Sequence, residues 1–184
     1  MANGTLKVSN IETSSGSGTI TIGQSGETIS IPSGVTQTNI GGTNTPAFEA
    51  YLNTTTGVTD NTFVKATFDT ERFDTNNTFS SSRFTPAVAG KYHCYTGIRV
   101  GNDGTDTLQL FQIAFYKNGS AYLINTTPTV IFNYYSINNF GAMLTQTIDL
   151  DADDYVEVYV KCDTSVGSPD LANGSFFGAY KIIE

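Results

Sequence analysis

The sequence has few charged residues and very few basic ones. Only 14% of its 184 residues are Asp, Glu, Lys or Arg, against about 25% in an average soluble protein. The nine Lys and Arg residues are scattered along the chain, and the formal net charge is −8. Nucleic-acid binding and polybasic membrane anchoring both need clustered cations. The charge pattern therefore argues against a nucleic-acid partner and against this type of membrane attachment.

Long apolar runs are also missing. No run in the sequence approaches the roughly 20 residues of a membrane-spanning helix. The opening residues, MANGTLKVSNIE, lack a basic stretch followed by an apolar one, which is the pattern of a secretory signal peptide. We therefore expect a protein made in the cytoplasm, with no membrane insertion.

Residues that carry catalysis are scarce. His93 is the only histidine, so any Ser- or Cys-based triad would have to use it. Its place in the strand-like run KYHCY indicates an exposed or interfacial strand position instead. Neither GxGxxG nor GxxxxGK[ST] occurs between a strand and a helix, so no phosphate-binding loop is predicted. Paired glycosidase carboxylates are recognised by their separation in space, which a sequence does not give. We expect no enzyme.

The two cysteines, Cys94 and Cys162, are too few for a disulfide framework. Each lies in an apolar, strand-like run, which favours buried reduced thiols, with one disulfide between core strands as the alternative. A zinc site would need a second pair of ligands at suitable spacing, and the sequence has none.

Aromatic residues are missing from residues 1–45, whereas all twelve Phe and ten Tyr lie beyond them. A segment of this kind cannot easily close its own core. It nevertheless contains short period-two apolar runs, such as Ile20 with Ile22 and Ile29 with Ile31, between Gly- and Ser-rich turns. We expect residues 1–45 to be an attachment segment or a short β-structured stalk whose strands pair with other copies. A flexible tail is the alternative.

Residues 46–184 are rich in the β-branched and aromatic residues that favour strands. About ten strand-like runs are separated by turn signals such as NDGTD, KNGS and NNFG. The Asn-Gly of KNGS predicts a two-residue hairpin turn of type I′. With few helix formers present, the sequence predicts an all-β, ten-stranded sandwich or jelly roll.

The most specific motif is FDTERFDTNNTFSSSRFTPAVAGKYHCY, residues 68–95. It resembles the signature of C1q-type globular domains, with two departures: one aromatic interval is shorter by two residues, and Cys94 stands where the family has Phe. DLDADDYVEVYV and NGSFFGAYKI are similar to the family's last strands. Within the motif we expect a structural core set: Phe68, Asp74, Phe79, Phe84, Gly90 and Tyr92.

The resemblance implies a compact trimer, because C1q-like and TNF-like domains assemble in threes. The run VIFNYYSI indicates the same, since aromatic residues occupy both of its alternating faces. A two-layer monomer needs only one apolar face per strand, and the surplus favours a buried subunit interface. We therefore predict a homotrimeric jelly-roll head over residues 46–184.

The stretch GTLKVSNIETSSGSGTITI is similar to openings of tail-fibre and other virion proteins of tailed bacteriophages. This resemblance implies a virion structural protein, exposed on the virion surface, that contacts other virion proteins through residues 1–45. We expect a fibre or spike head that contacts a host cell-surface glycan or protein. Capsid decoration without a receptor and a secreted carbohydrate-binding adhesin are the alternatives, and a depolymerase ranks last.

Two sets of residues are candidates for ligand contact. Loops on a rigid scaffold commonly carry recognition, and Tyr and Asn suit glycan contacts, which selects Tyr134, Tyr135, Asn138 and Asn139. No cofactor is expected. The DLDADD turn begins like a calcium loop, which makes Asp149, Asp151 and Asp153 the candidate ligands. However, Asp154 and Val160 replace the Gly and Glu of an EF-hand, so a plain turn is favoured over a metal site.

Overall fold

The computed structural model describes residues 8–13, 18–33, 35, 44–101, 108–125 and 139–183. The chain divides into two compact units, Met1–Ile40 and Gly41–Glu184. No helix occurs in the described ranges, and so none that is long and apolar enough to cross a membrane. The role predicted for residues 1–45 stays a prediction.

The first unit has a turn but no strand among its described residues, 8–13, 18–33 and 35. The turn is closed by the Glu27 N–H, which donates to the Gln24 carbonyl oxygen at 3.0 Å. Six apolar side chains among the described residues of this unit are exposed: Val8, Ile11, Ile20, Ile22, Ile29 and Val35. A stalk built from several copies would cover them, and a single chain does not test that prediction.

The second unit contains thirteen strands in the residues described. Eight of them have five or more residues: β1 (Ala47–Tyr51), β4 (Thr70–Asp74), β7 (Gly90–Gly101), β8 (Leu108–Lys117), β9 (Ser120–Asn125), β10 (Asn139–Leu150), β11 (Val156–Thr164) and β13 (Phe176–Ile183). Five have two residues: β2 (Thr56–Gly57), β3 (Val64–Lys65), β5 (Phe79–Ser80), β6 (Arg83–Phe84) and β12 (Asp170–Leu171).

The predicted number of ten strands is therefore too low. Two-residue strands are too short to show an alternating pattern, and β4 is formed by the largely exposed residues TERFD, which carry no apolar alternation. The strand predicted in VIFNYYSI lies outside the described residues. The all-β class itself is confirmed.

The strands form two antiparallel sheets. Sheet A has seven strands in the order β2-β12-β7-β13-β1-β4, with β10 also paired to β7. Sheet B has six strands in the order β5-β6-β11-β8-β9, with β3 also paired to β11. Strand β7 is thus central in sheet A, because it bonds to β10 over its whole length and to β13 and β12 on its other side.

The core lies between the inner faces of the sheets. On β11 the buried residues Val156, Val158, Val160 and Cys162 alternate along the strand, as expected for a strand with one face toward the core. Cys94 and Cys162 are both buried free thiols, so the favoured reading of the cysteines is confirmed. Burial raises the pKa of both thiols, that of Cys162 to about 12.

Aromatic rings fill the centre of this core. The ring of Phe48 on β1 stacks on those of Phe79 and Phe84, with centroids 4.6 and 4.8 Å apart, and meets Phe177 edge-on at 4.9 Å. Such geometries are favourable beyond the apolar area they bury. Because these rings come from both sheets, they fasten one sheet to the other.

Two hairpins use residues with positive φ. The predicted turn joins β8 and β9 through Asn118 and Gly119, with φ of 52° and 76°, as a type I′ turn requires. The second turn, between β5 and β6, uses Ser81 and Ser82 with φ of 51° and 56°. The Ser82 side chain holds this turn in place, because its Oγ atom accepts a hydrogen bond from the Phe68 N–H at 2.9 Å. This turn was not predicted from the sequence, because Ser-Ser is not a usual pair for a type I′ turn.

Candidate functional site

The outer face of sheet A, which points away from the core, is unusually aromatic. Residues with opposite positions in the register share one face of a sheet, and His93 on β7 lies opposite Tyr180 on β13 and Thr147 on β10. We call the following residues of this surface the aromatic face: Tyr51, His93, Tyr95, Met143, Phe176 and Tyr180.

Two glycines leave room for two rings of the aromatic face. Gly97 lies opposite Phe176 and Gly178 opposite Tyr95 in the pairing of β7 with β13. A Cβ added at Gly97 would collide with the Phe176 ring, and one added at Gly178 would collide with the Tyr95 ring. Both rings therefore lie across the backbone of the neighbouring strand, in space that any other residue would fill.

The rings of the aromatic face lie close together at several tilts: the ring planes of His93 and Tyr95 differ by 24°, and those of Tyr95 and Tyr180 by 55°. The centroid of His93 is 5.4 Å from that of Tyr180 and 6.1 Å from that of Tyr95. Tyr95 is 6.3 Å from both Tyr180 and Phe176. The result is a continuous layer of ring surface.

A polar chain fixes one side of this layer. The Tyr95 hydroxyl donates to Glu49 Oε2 at 2.9 Å, and Glu49 Oε1 pairs with the Arg72 guanidinium at 2.6 Å. The Arg72 guanidinium also lies 5.1 Å from the centre of the Tyr51 ring. Burial, and next the hydrogen bond to Glu49, raise the pKa of Tyr95. The hydroxyl thus stays protonated and holds its ring in position.

The aromatic face leaves apolar surface open to solvent. Met143 is 61% exposed and Tyr180 is 37% exposed, while Phe73 and Ile182 on the adjoining strands are 47% and 38% exposed. Beside Met143 an apolar groove of about 240 Å³ is lined by Gly97, Arg99, Gly141 and Phe176. Contiguous exposed apolar surface of this kind marks interaction sites.

The outer face of sheet B has a different character. Glu157 on β11 is buried beneath two cations, with its Oε1 atom 3.1 Å from Lys65 Nζ and 3.0 Å from an Arg83 guanidinium nitrogen. The Arg83 guanidinium also lies 3.7 Å from the centre of the Tyr155 ring. The charges of Glu157, Lys65 and Arg83 are therefore paired within the chain.

The architecture can be compared with solved structures. The globular domain of zebrafish complement 1qA protein superposes with a TM-score of 0.52 at 14% sequence identity, over 76% of this chain and 98% of that chain. The fold is a C1q/TNF-like jelly roll. Murine APRIL is also similar, with a TM-score of 0.49 at 10% identity, over 74% of this chain and 98% of that one. These identities show the jelly roll alone. No family model and no curated protein sequence matches the chain.

Four aromatic residues of the core set predicted within the 68–95 motif lie in the core of the jelly roll. Phe68, Phe79, Phe84 and Tyr92 are buried. Phe84 and Tyr92 meet edge-on with centroids 5.4 Å apart, and the Tyr92 hydroxyl donates to the Val88 carbonyl at 2.7 Å. Gly90 has φ of 153°, a conformation that side-chain-bearing residues rarely adopt. These positions are structural.

Asp74 of the same motif holds a loop. Its carboxylate accepts hydrogen bonds from the Phe79 N–H at 2.8 Å, the Thr78 hydroxyl at 3.0 Å and the Asn76 N–H at 3.3 Å. Burial, the largest single influence, favours the protonated form, but the hydrogen bonds from Thr78, Phe79 and Asn76 together hold the pKa of Asp74 below its ordinary value. The ionised carboxylate therefore fixes the turn between β4 and β5.

Lysines pair with two carboxylates in the acidic segment that runs from the end of β10 into the following turn. Lys117 Nζ lies 2.7 Å from Asp154 Oδ2, and Lys91 Nζ lies 3.1 Å from Asp149 Oδ2. The bond from Lys117, followed by those from Asp151 and Asn118, lowers the pKa of Asp154 to about 2.

The calcium candidates Asp149, Asp151 and Asp153 belong to this turn. Within the described ranges, no three His, Cys, Asp or Glu side chains are grouped to hold a metal ion. Lysine ammonium groups pair with two of the four carboxylates, those of Asp149 and Asp154, and the preference for a plain turn over a calcium site stays a prediction.

The candidate contact residues are only partly covered. Tyr134, Tyr135 and Asn138 lie outside the described residues. Asn139 is exposed and begins β10 opposite Gly101, at one end of sheet A. Their role in ligand contact stays a prediction.

Most residues of the aromatic face were not selected from the sequence. A signal was nevertheless present in the sequence. KYHCY and SFFGAY each contain two consecutive aromatic residues, and consecutive residues of a strand point to opposite faces. Gly97 and Gly178 each lie two residues from a face aromatic. A glycine inside such a strand indicates close approach by a neighbouring group.

Proposed function

We propose that this protein is a homotrimeric structural head whose subunits associate through the aromatic face. Domains of the C1q/TNF-like fold typically form trimers, and this surface supplies the apolar area that a second and a third copy would cover. The observation that carries the proposal is the cluster of solvent-facing rings, of which those of Phe176 and Tyr95 lie over Gly97 and Gly178. A monomer gains nothing from exposing such a cluster, because exposed apolar patches favour aggregation.

We further propose that the trimer belongs to the surface of a tailed-bacteriophage virion and contacts the host. Support comes from residues 1–45, whose composition and similarity to the openings of tail-fibre and other virion proteins favour attachment to a virion. The exposed loops at the ends of the jelly roll are the expected contact points with a host glycan or protein. Capsid decoration without a receptor is the second candidate, because the same trimer could serve there.

The solution mass of the full chain, measured by light scattering, tests the trimer. We expect three chains for the wild type and one chain for Met143→Glu, because Met143 is exposed in the monomer and a carboxylate there would be buried without a partner in the trimer. Val166→Glu is the matched control, since Val166 is 69% exposed and lies outside the aromatic face. A monomeric wild type would overturn the proposal.

Two further measurements separate the remaining roles. A chelator added to the wild type should leave the mass unchanged, because we expect a plain turn at residues 149–154; dissociation would indicate a structural metal ion. Binding to a panel of bacterial surface polysaccharides and whole cells tests host contact. A trimer that binds none of them and is located on the capsid by electron microscopy would favour decoration.

A further inference from the structure

His93 lies in the middle of the aromatic face. It is half-buried on β7, flanked by Tyr95 on the same strand, Tyr180 on β13 and Thr147 on β10. It is also the only histidine in the chain. Imidazole is the side chain whose ordinary titration, near pH 6.5, falls within the physiological range. Any assembly that covers this face therefore covers one titratable imidazole per chain.

The carboxylates nearest to His93 already have partners. Glu49 on β1 accepts the Tyr95 hydroxyl and pairs with Arg72. Asp149 on β10 pairs with Lys91, two residues before His93 on β7. The groups that face the imidazole itself are two tyrosines and a threonine, which carry no charge near neutral pH. Among the described residues, these two carboxylates would have to leave their present partners to pair with a protonated His93.

We propose that His93 makes assembly of the protein sensitive to pH, with the trimer favoured when the imidazole is neutral and released when it is protonated. This inference rests on the homotrimer proposed above. Burying a charge without a partner is unfavourable, so covering the face with neighbouring copies disfavours the imidazolium. Protonation in turn disfavours the trimer, because binding equilibria that are linked act on each other equally.

The three-fold stoichiometry amplifies the effect. If coverage disfavours protonation about ten-fold per chain, the association constant falls about a hundred-fold between pH 8 and pH 5.5 and approaches a thousand-fold loss at still lower pH, because three imidazoles are involved. The trimer is therefore favoured at pH 8 and weakened as the pH falls toward 5.5. Ordinary carboxylates titrate near pH 4, so a range that ends at pH 5.5 keeps their contribution small.

The test is the solution mass of the full chain by light scattering at pH 8 and pH 5.5, at constant ionic strength and at a concentration a few-fold above that at which the wild-type trimer half-dissociates at pH 8. His93→Gln is the comparison variant, because glutamine is polar and of similar size but does not titrate. We expect the wild type to be trimeric at pH 8 and to dissociate at pH 5.5, while His93→Gln stays trimeric at both. Circular dichroism at both pH values checks that the chains remain folded.

The outcomes separate the two proposals. A wild type that is trimeric at both pH values overturns the role of His93 and leaves the homotrimer standing. If His93→Gln dissociates at pH 5.5 as the wild type does, the role of His93 is likewise overturned and the homotrimer still stands. A wild type that is monomeric at pH 8 overturns the homotrimer and the switch together. If His93→Gln is itself monomeric at pH 8, His93→Phe, which extends the aromatic face without a charge, takes its place in the comparison.

Discussion

The outer faces of the two sheets differ in how their side chains are satisfied. On sheet B the rings of Tyr116 and Tyr159 stack with centroids 3.9 Å apart, and Glu157 is enclosed by Lys65 and Arg83. On sheet A the nearest ring centroids are 5.4 Å apart or more, and the rings lie over glycines. The stacked tyrosines of sheet B cover part of each other's ring surface, whereas the rings of sheet A are spaced further apart.

This difference indicates that the outer face of sheet B contacts solvent and that the outer face of sheet A contacts another molecule. Stacked rings and paired charges leave little for a partner to gain, so the outer face of sheet B suits solvent. The rings and Met143 of the aromatic face present apolar area that another molecule can cover, and apolar area removed from water contributes about 25 cal/mol per Å². Substitutions on sheet B should therefore change the stability of the fold, and substitutions on sheet A should change association.

The largest effect on sheet B is expected for Glu157→Ala. The Glu157 side chain is 4% exposed, and its loss leaves Lys65 and Arg83 without their shared partner. Breaking a buried ion pair costs about 3 kcal/mol or more; the cations can still reach water, so we expect about 3 kcal/mol in the free energy of unfolding by urea. Glu157→Gln, which retains the shape, should cost less. The mass in solution should not change, and a loss of the trimer would contradict the division between the faces.

A smaller effect is expected for Gly178→Ala on sheet A. The added methyl group meets the ring of Tyr95, which must then move and give up its hydrogen bond to Glu49. Overpacking of this kind costs about 2 kcal/mol, and the displaced ring also roughens the aromatic face. We expect lower stability in urea together with a weaker trimer at a given concentration.

Two controls show whether the ring is the cause. Gly141→Ala is a matched variant on β10, where the nearest atom to an added Cβ is the Ile98 carbonyl oxygen at 3.4 Å, so its cost should be small. In the background of Tyr95→Ala, Gly178→Ala should cost almost nothing, because the obstructing ring is gone. Equal costs in both backgrounds would contradict the explanation.

The sequence predicted the fold well because the fold depends on local patterns. Alternating apolar residues in β11 and the Asn-Gly turn after β8 are visible without tertiary information. The order of strands in a sheet depends on long-range pairing, and the two-residue strands exist only through it. Consequently β2, β5 and β12 were missed, while the jelly roll was recognised from its motif.

The site was harder to predict because a face is a property of several strands together. His93 was assigned an exposed or interfacial position from its own strand, and it lies half-buried on the outer face. Its neighbour Tyr180, 87 residues away in the sequence, joins it only through the pairing of β7 with β13. The collisions that make Gly97 and Gly178 necessary also depend on that register, which no local pattern gives.

The smallest expected effect concerns the stacked pair Tyr116 and Tyr159. A double-mutant cycle with alanine at each position should give a coupling of about 0.5–1.5 kcal/mol in the free energy of unfolding, the range for aromatic pairs in contact. The same cycle for Tyr95 and Tyr180, whose centroids are 6.3 Å apart, should give less when measured on monomers at low concentration. If the two couplings were equal, the rings of sheet A would be satisfied within the chain as fully as those of sheet B. The aromatic face would then have no more reason to bind another copy than its counterpart has.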